Sequence, residues 1–271
     1  SLTITAANDS KVYGASSTTA GVNYNAGGTA VNSTAGYTTS GLVNGDAISS
    51  VTLTSTGGAV PSNVGTYSIT PSALVGGTNV TSNNYTISYV NAATGLVVNP
   101  KVVTLAATKT YDASNTLNTV VISGLIGSQT LNYSGATANN VNVATAGKFI
   151  NAITLADGSG GGVASNYALP TLNATTAPVT IIKAALTVSA NNATMIYGAN
   201  VLPSFSASLT GFMTGDNSSN AVTGSASFST SATVYNGTAG SGSVVGTYSI
   251  TPALGSLASS NYSFTTFTPG S

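Results

Sequence analysis

The chain has 271 residues with five Lys balanced by five Asp, a formal net charge of zero, and no Arg, Glu, His, Cys or Trp. So sparse and even a charge excludes a basic footprint for nucleic-acid phosphates and a charged cluster for an anionic membrane surface. An apolar fraction of 42% with 4% charged residues is the reverse of a disordered composition, and the dominance of Thr, Val, Tyr, Ser, Asn and Gly over helix-covering residues makes the expected fold class all-β.

In chain order, the first predicted strand is "LTIT" at 2–5, leading through "LTITAANDSKVYG" to a Tyr-Gly at 13–14. A long insert at 15–40 follows, then the turn "GLVNGD" at 41–46, the octapeptide "VGTYSITP" at 64–71 and "SNNYTISYV" at 82–90. A divergent series comes next: "VTLAATKTYDA" at 103–113, "SGLIG" at 123–127, "TAGKFI" at 145–150, "SNYAL" at 165–169 and "VTIIK" at 179–183. The first series then returns as "LTVSANNATMIYG" at 186–198, "GFMTGD" at 211–216, the identical octapeptide at 245–252 and "SSNYSFTTF" at 259–267, with a second long insert at 217–244. Chance does not repeat an octapeptide among matching landmarks, so the chain is an array of one structural unit. From the first landmark Tyr to the second is 72 residues (Tyr13 to Tyr85), 56 (Tyr111 to Tyr167) and 65 (Tyr197 to Tyr262), so the middle unit is the shortest. The predicted modules are 1–100, 101–183 and 184–271. Period-two alternation and Gly, Asn, Asp or Pro at the breaks predict that each is a small Ig-like β-sandwich, the three strung into an elongated rod.

The order "LTITA…KVYG…GLVNGD…VGTYSITP…SNNYTI" resembles the MBG modules, an immunoglobulin-like bacterial repeat, and the central "KTYDA…SGLIG…AGKFI…SNYAL" resembles the related YDG module. The family's Tyr-Asp-Gly is "YDA" at 111–113. The resemblance implies a non-catalytic stalk or matrix role in a large cell-surface or secreted adhesin of the filamentous-haemagglutinin kind, hence an extracellular or bacterial-surface location. It supplies no catalytic site.

The residues agree with that absence. Without His, Cys, Glu or Arg, the usual bases, thiolates, metal ligands and oxyanion clamps are missing, and no Ser-x-x-Lys occurs. No enzyme, cofactor or metal is expected. Asp46 and Asp216 occupy equivalent turns, but one carboxylate per turn is thin for calcium, and each is read as bonding its own turn backbone. Lys11 and Lys109 precede landmark tyrosines by two residues; their stems are expected on a sheet edge with the ammonium in water. An isopeptide crosslink there is disfavoured because Met195 stands at the third equivalent position.

The repeated Tyr13, Tyr67, Tyr85, Tyr111, Tyr167, Tyr197, Tyr248 and Tyr262 are expected in module cores, with the hydroxyl bonded at an edge. Tyr24, Tyr37 and Tyr235 lie in the inserts and are the candidates for partner contact. Three roles then compete. The first is a structural stalk whose partners are neighbouring repeats. The second is a filament subunit in which the third module accepts the N-terminal "SLTIT" of another molecule by strand addition. The third is a surface-glycan binder using the inserts of modules 1 and 3. No run reaches the roughly 20 apolar residues that would span a bilayer, so membrane insertion is not expected.

Overall fold

The computed structural model describes residues 1–24, 30–81 and 83–271. Residues 25–29 of the first insert and Ser82, the first letter of "SNNYTISYV", lie outside them. Apart from two short 3-10 turns, Thr56–Gly58 and Ala164–Asn166, the regular structure is extended throughout: the protein is all-β. Among the described residues no helix is long and apolar enough to cross a membrane. The chain forms two compact units, one made of Ser1–Thr104, Ile122–Ser134 and Thr154–Pro170, the other of Leu105–Val121, Gly135–Ile153 and Thr171–Ser271. Each unit therefore holds one end repeat and part of the middle one.

In the first unit a five-stranded sheet runs in the order Asp9–Val12, Ala92–Asn99, Gly65–Gly76, Ile48–Thr54, Ala30–Ser33. It faces a three-stranded sheet ordered Tyr37–Ser40, Leu2–Ala6, Ile87–Val90. Leu2 and Ile4 of the small sheet meet Val51, Leu53, Ile69 and Leu96 of the large one in a single core, which is the sandwich that the alternating patterns predict. Leu2–Ala6 shows why: its burial alternates strictly, with Leu2, Ile4 and Ala6 inside, as a period of two requires. The strand is also flanked on both sides, antiparallel by Tyr37–Ser40 and parallel by Ile87–Val90. Residues 3–5 are thus paired on both edges within the chain.

The first insert is not a loop laid over the sandwich. It contributes Ala30–Ser33 and Tyr37–Ser40 as edge strands of the two sheets. The third repeat's insert likewise supplies Ser227–Thr230, antiparallel to Ile250–Ala253. In that second unit Ala184–Ala190 is the central strand between Ala207–Thr210, antiparallel, and Tyr262–Thr268, parallel. The middle repeat adds Val179–Ile182, which runs parallel to residues 107–110.

The identical octapeptides take different local structure. Seven residues of the first, 65–71, lie within the strand Gly65–Gly76, but in the second only the last three residues fall in a strand, Ile250–Ala253. Both keep the same local bond, Tyr67 Oη–H to the Asn63 carbonyl at 2.7 Å and Tyr248 Oη–H to the Val244 carbonyl at 2.9 Å. What differs is the neighbour. Gly65, Thr66 and Tyr67 pair with Val98, Val97 and Leu96, whereas among the described residues no strand lies beside 246–248. Strand formation here is decided by the partner, not by the eight letters.

Lys11 does not reach water. It is 2% exposed, its ammonium donating to the carbonyls of Gly58 and Ala59 at 3.0 and 2.8 Å, and burial pushes its pKa down. Lys109 clips the carbonyls of Ser114 and Thr116 and pairs with Asp112. Lys148 donates to the carbonyls of Val143 and Thr145, and Lys183 to that of Ser259. With so few charges available, lysine is spent on tying loop carbonyls internally.

Candidate functional site

Two clasps of the same make recur, one in each unit. Each begins with the first landmark tyrosine of one repeat and ends on the Asn-Tyr pair of the next. In the first unit the rings of Tyr13 and Tyr167 meet edge to face, centroids 5.4 Å apart at 79°. In the second, Tyr111 and Tyr262 do so at 5.4 Å and 80°. All four rings are buried. Edge-to-face contact sets the positive rim of one ring on the negative face of the other, adding about 0.5–1.5 kcal/mol to the burial.

A side chain from the turn of the later repeat holds both hydroxyls. In the second unit Tyr111 and Tyr262 both donate to Asp216 Oδ2, at 2.9 and 2.7 Å, and Tyr262 Oη accepts the Met213 N–H at 2.9 Å. In the first unit Gln129 takes the place of Asp. Its Nε2 donates to Tyr13 Oη at 2.9 Å, its Oε1 accepts from Tyr167, and Tyr167 Oη accepts the Ile126 N–H at 3.0 Å. A carboxylate can only accept, so it takes two hydroxyl protons; an amide gives one bond and takes one. Either chemistry closes the clasp.

The asparagine before each hooked tyrosine supplies a second fastening. Asn166 Oδ1 accepts the Val64 N–H at 2.9 Å while its Nδ2 donates to Asn63 Oδ1 at 2.9 Å. Asn261 repeats this with the Val143 N–H and Asn142 Oδ1, each at 3.0 Å. An Asn-Tyr hook, an Asp or Gln strut and an opposing tyrosine thus form one reusable joint.

The first repeat carries the hook half alone: Tyr85 donates to Asp46 Oδ2 at 2.5 Å and its oxygen accepts the Val43 N–H at 3.2 Å. Asp46 and Asp216 therefore serve remote tyrosines rather than capping their own turns. The third repeat carries the opposite half. Tyr197, expected in a core, is 70% exposed, and Ile196 beside it is 84% exposed. Their counterparts Tyr13 and Tyr111 are buried because another repeat's hook covers them. Tyr67 and Tyr248 are half-buried.

The tyrosines offered for partner contact fall in three different places. Tyr24 is 0% exposed, its ring packed so close to Gly58 that a Cβ there would lie 2.5 Å from Tyr24 Cγ; this corrects its reading as a contact residue, because the insert doubles back into the sandwich. Tyr37 is half-buried against the same core. Tyr235 is 38% exposed and lines a surface hollow with Met195, Tyr197 and Gly198. Sequence reasoning found every ring of the two joints but not Gln129, Asn166 or Asn261. The readable signal was the Asn before Tyr in all three "NY" landmarks.

Burial, and then the bond to Asp216, pushes the Tyr262 pKa up to about 12. Burial, and then the Asp9 charge, does the same for Tyr24. Tyr111 and Tyr167 are raised in the same direction, chiefly by burial. A folded-state value above the ordinary 10 means the neutral form is favoured by folding, so this stabilisation is complete below pH 10 and is lost as pH rises toward 12. Tyrosine absorbance near 295 nm should therefore include a late phase above about pH 11 that coincides with loss of the β circular dichroism signal. Complete ionisation near pH 10 with the fold intact would contradict the burial of these hydroxyls.

All-β repeats that share one clasp design, built once within each unit, define a tandem-repeat protein. The MBG domain (YGX type) matches residues 2–94 and 186–271, and the chain belongs to that family, a non-catalytic repeat family. The match leaves 95–185 uncovered. No curated protein and no solved structure matches the chain.

Proposed function

We propose that this chain is a structural stalk segment of a large extracellular bacterial adhesin or matrix protein, read as modules 1–100, 101–183 and 184–271 in line. MBG domains typically occur in extracellular or surface proteins, and that membership supports the location. The observation that carries the stalk reading is the joint built twice, from Tyr13, Tyr167 and Gln129 and from Tyr111, Tyr262 and Asp216. A linker between independent domains needs no such fastening; a spacer that keeps its repeats in fixed register does. The partners of each repeat are then its neighbours in the array.

Small-angle X-ray scattering tests this. A compact globule of this length has a radius of gyration of about 18–19 Å. The expected value is clearly larger and independent of concentration. A value within the globular range would reject the in-line array.

A further inference from the structure

The two clasps share their rings and differ in their strut. Tyr13 and Tyr167 meet at 5.4 Å and 79°, Tyr111 and Tyr262 at 5.4 Å and 80°. In the first, the group between the hydroxyls is the amide of Gln129, which gives one bond and accepts one. In the second it is the carboxylate of Asp216, whose Oδ2 accepts from Tyr111 at 2.9 Å and from Tyr262 at 2.7 Å. An amide holds a phenol in place but cannot take its proton, whereas a carboxylate can do both. Asp216 is half-buried, so a proton it takes can pass on to water.

That difference bears on oxidation. A phenol gives up an electron far more readily when its proton can leave in the same step, because the alternative is a cationic radical in a buried site. Tyr111 and Tyr262 are 5% and 1% exposed, and both donate to a base. Their hydroxyls converge on one oxygen atom, which draws together the ring carbons beside those hydroxyls. The rings already stand nearly perpendicular, a crossed disposition that two bonded phenol rings can also adopt. Phe212, packed on Tyr262 at 5.5 Å, restrains that ring from swinging away.

We infer that Tyr111 and Tyr262 form an oxidative crosslinking site, converted to dityrosine by a one-electron oxidant such as a peroxidase consuming hydrogen peroxide. Each tyrosine loses one electron to the oxidant and its hydroxyl proton to Asp216, which releases the first to water before taking the second. The two phenoxyl radicals form one carbon–carbon bond between their ortho positions, and the hydrogens displaced from those carbons return through water to the phenol oxygens. The pair loses two hydrogen atoms in all, and one peroxide becomes two waters. The product ties the middle repeat to the third covalently within the second unit, and it does so whether or not the chain serves as a stalk.

The test oxidises the full chain, kept dilute, with tris(bipyridine)ruthenium and persulfate under light, which removes single electrons without entering the fold. The product is cut after lysine and mapped by mass. Tyr111 lies in fragment 110–148 and Tyr262 in 184–271, Tyr13 in 12–101 and Tyr167 in 149–183, so each clasp yields its own linked pair, lighter than the sum by two hydrogens. The 110–148/184–271 pair is expected to form at least about tenfold faster than the 12–101/149–183 pair, well within what a positioned base contributes. Tyr111→Phe and Tyr262→Phe should each abolish it. Gln129→Glu, which places a carboxylate in the first clasp, should speed the 12–101/149–183 link by about the same factor, with its melting temperature showing that it is folded. Equal rates for the two pairs in the unmodified chain, no 110–148/184–271 link by the time the exposed Tyr197 is oxidised, survival of that link in Tyr111→Phe or Tyr262→Phe, or no gain in folded Gln129→Glu would each overturn the site.

Discussion

Replacing Tyr262 with Ala is expected to destabilise the second unit by about 3–5 kcal/mol, the cost of removing a large aromatic from a packed site. The ring is 1% exposed, meets both Tyr111 and Phe212, and anchors the hydroxyl network on Asp216. Tyr262→Phe separates the two contributions. It keeps the rings in contact but removes the acceptor of the Met213 N–H and a donor to Asp216, for an expected loss of about 1–3 kcal/mol. Urea unfolding followed by circular dichroism gives both values. A double-mutant cycle with Tyr111→Ala should show a coupling of about 0.5–1.5 kcal/mol. Strict additivity would mean that the clasp does not act as one object.

Gly14→Ala should cost about 2–3 kcal/mol, and Gly198→Ala, its counterpart in the third repeat, only about 1–2. Both glycines have φ +82°, in the left-handed region, so both pay the same backbone penalty. The surroundings differ. A Cβ on Gly14 would lie 2.0 Å from Ile126 Cδ1 and 2.9 Å from its Cγ1, whereas one on Gly198 would meet nothing within 4 Å. The tip of Ile126 can turn aside, which keeps the extra cost at the low end for overpacking. Comparing the two melting temperatures isolates the close approach that only an assembled joint creates. Equal shifts would show that Ile126 does not press on Gly14 in solution. Ala113, the residue that departs from Tyr-Asp-Gly, takes φ +60° itself, so the middle repeat accepts there a backbone penalty that a glycine would avoid.

Much of this was legible because each repeat writes the same constraints again. Alternation in "LTIT" marked the buried face of Leu2–Ala6, and the recurrent tyrosines marked the joint rings. What was illegible depends on residues distant in sequence. Tyr197 and Tyr13 sit in matching letters, yet one is exposed and the other buried, because a hook more than 150 residues from Tyr13 decides the matter. Tyr24 looked like a loop residue because nothing in its neighbours announces that the insert re-enters the sandwich. Lys11 read as a surface cation because its partners, two carbonyls near residue 58, leave no mark on the local pattern. The identical octapeptides make the limit plain: eight residues specify a tendency to extend, and the strand beside them turns that tendency into structure.

The parallel pairings have a mechanical consequence. In the first repeat the opening segments Leu2–Ala6 and Asp9–Val12 lie parallel to the closing segments Ile87–Val90 and Ala92–Asn99. A pull that draws the start of such a repeat one way and its end the other slides the paired strands lengthwise past each other. Their ladder bonds, which stand across the direction of sliding, share the tension and must rupture together rather than peel open one at a time. A repeat wired this way resists stretching at its own two ends far better than an antiparallel hairpin of equal bond number pulled open from one side.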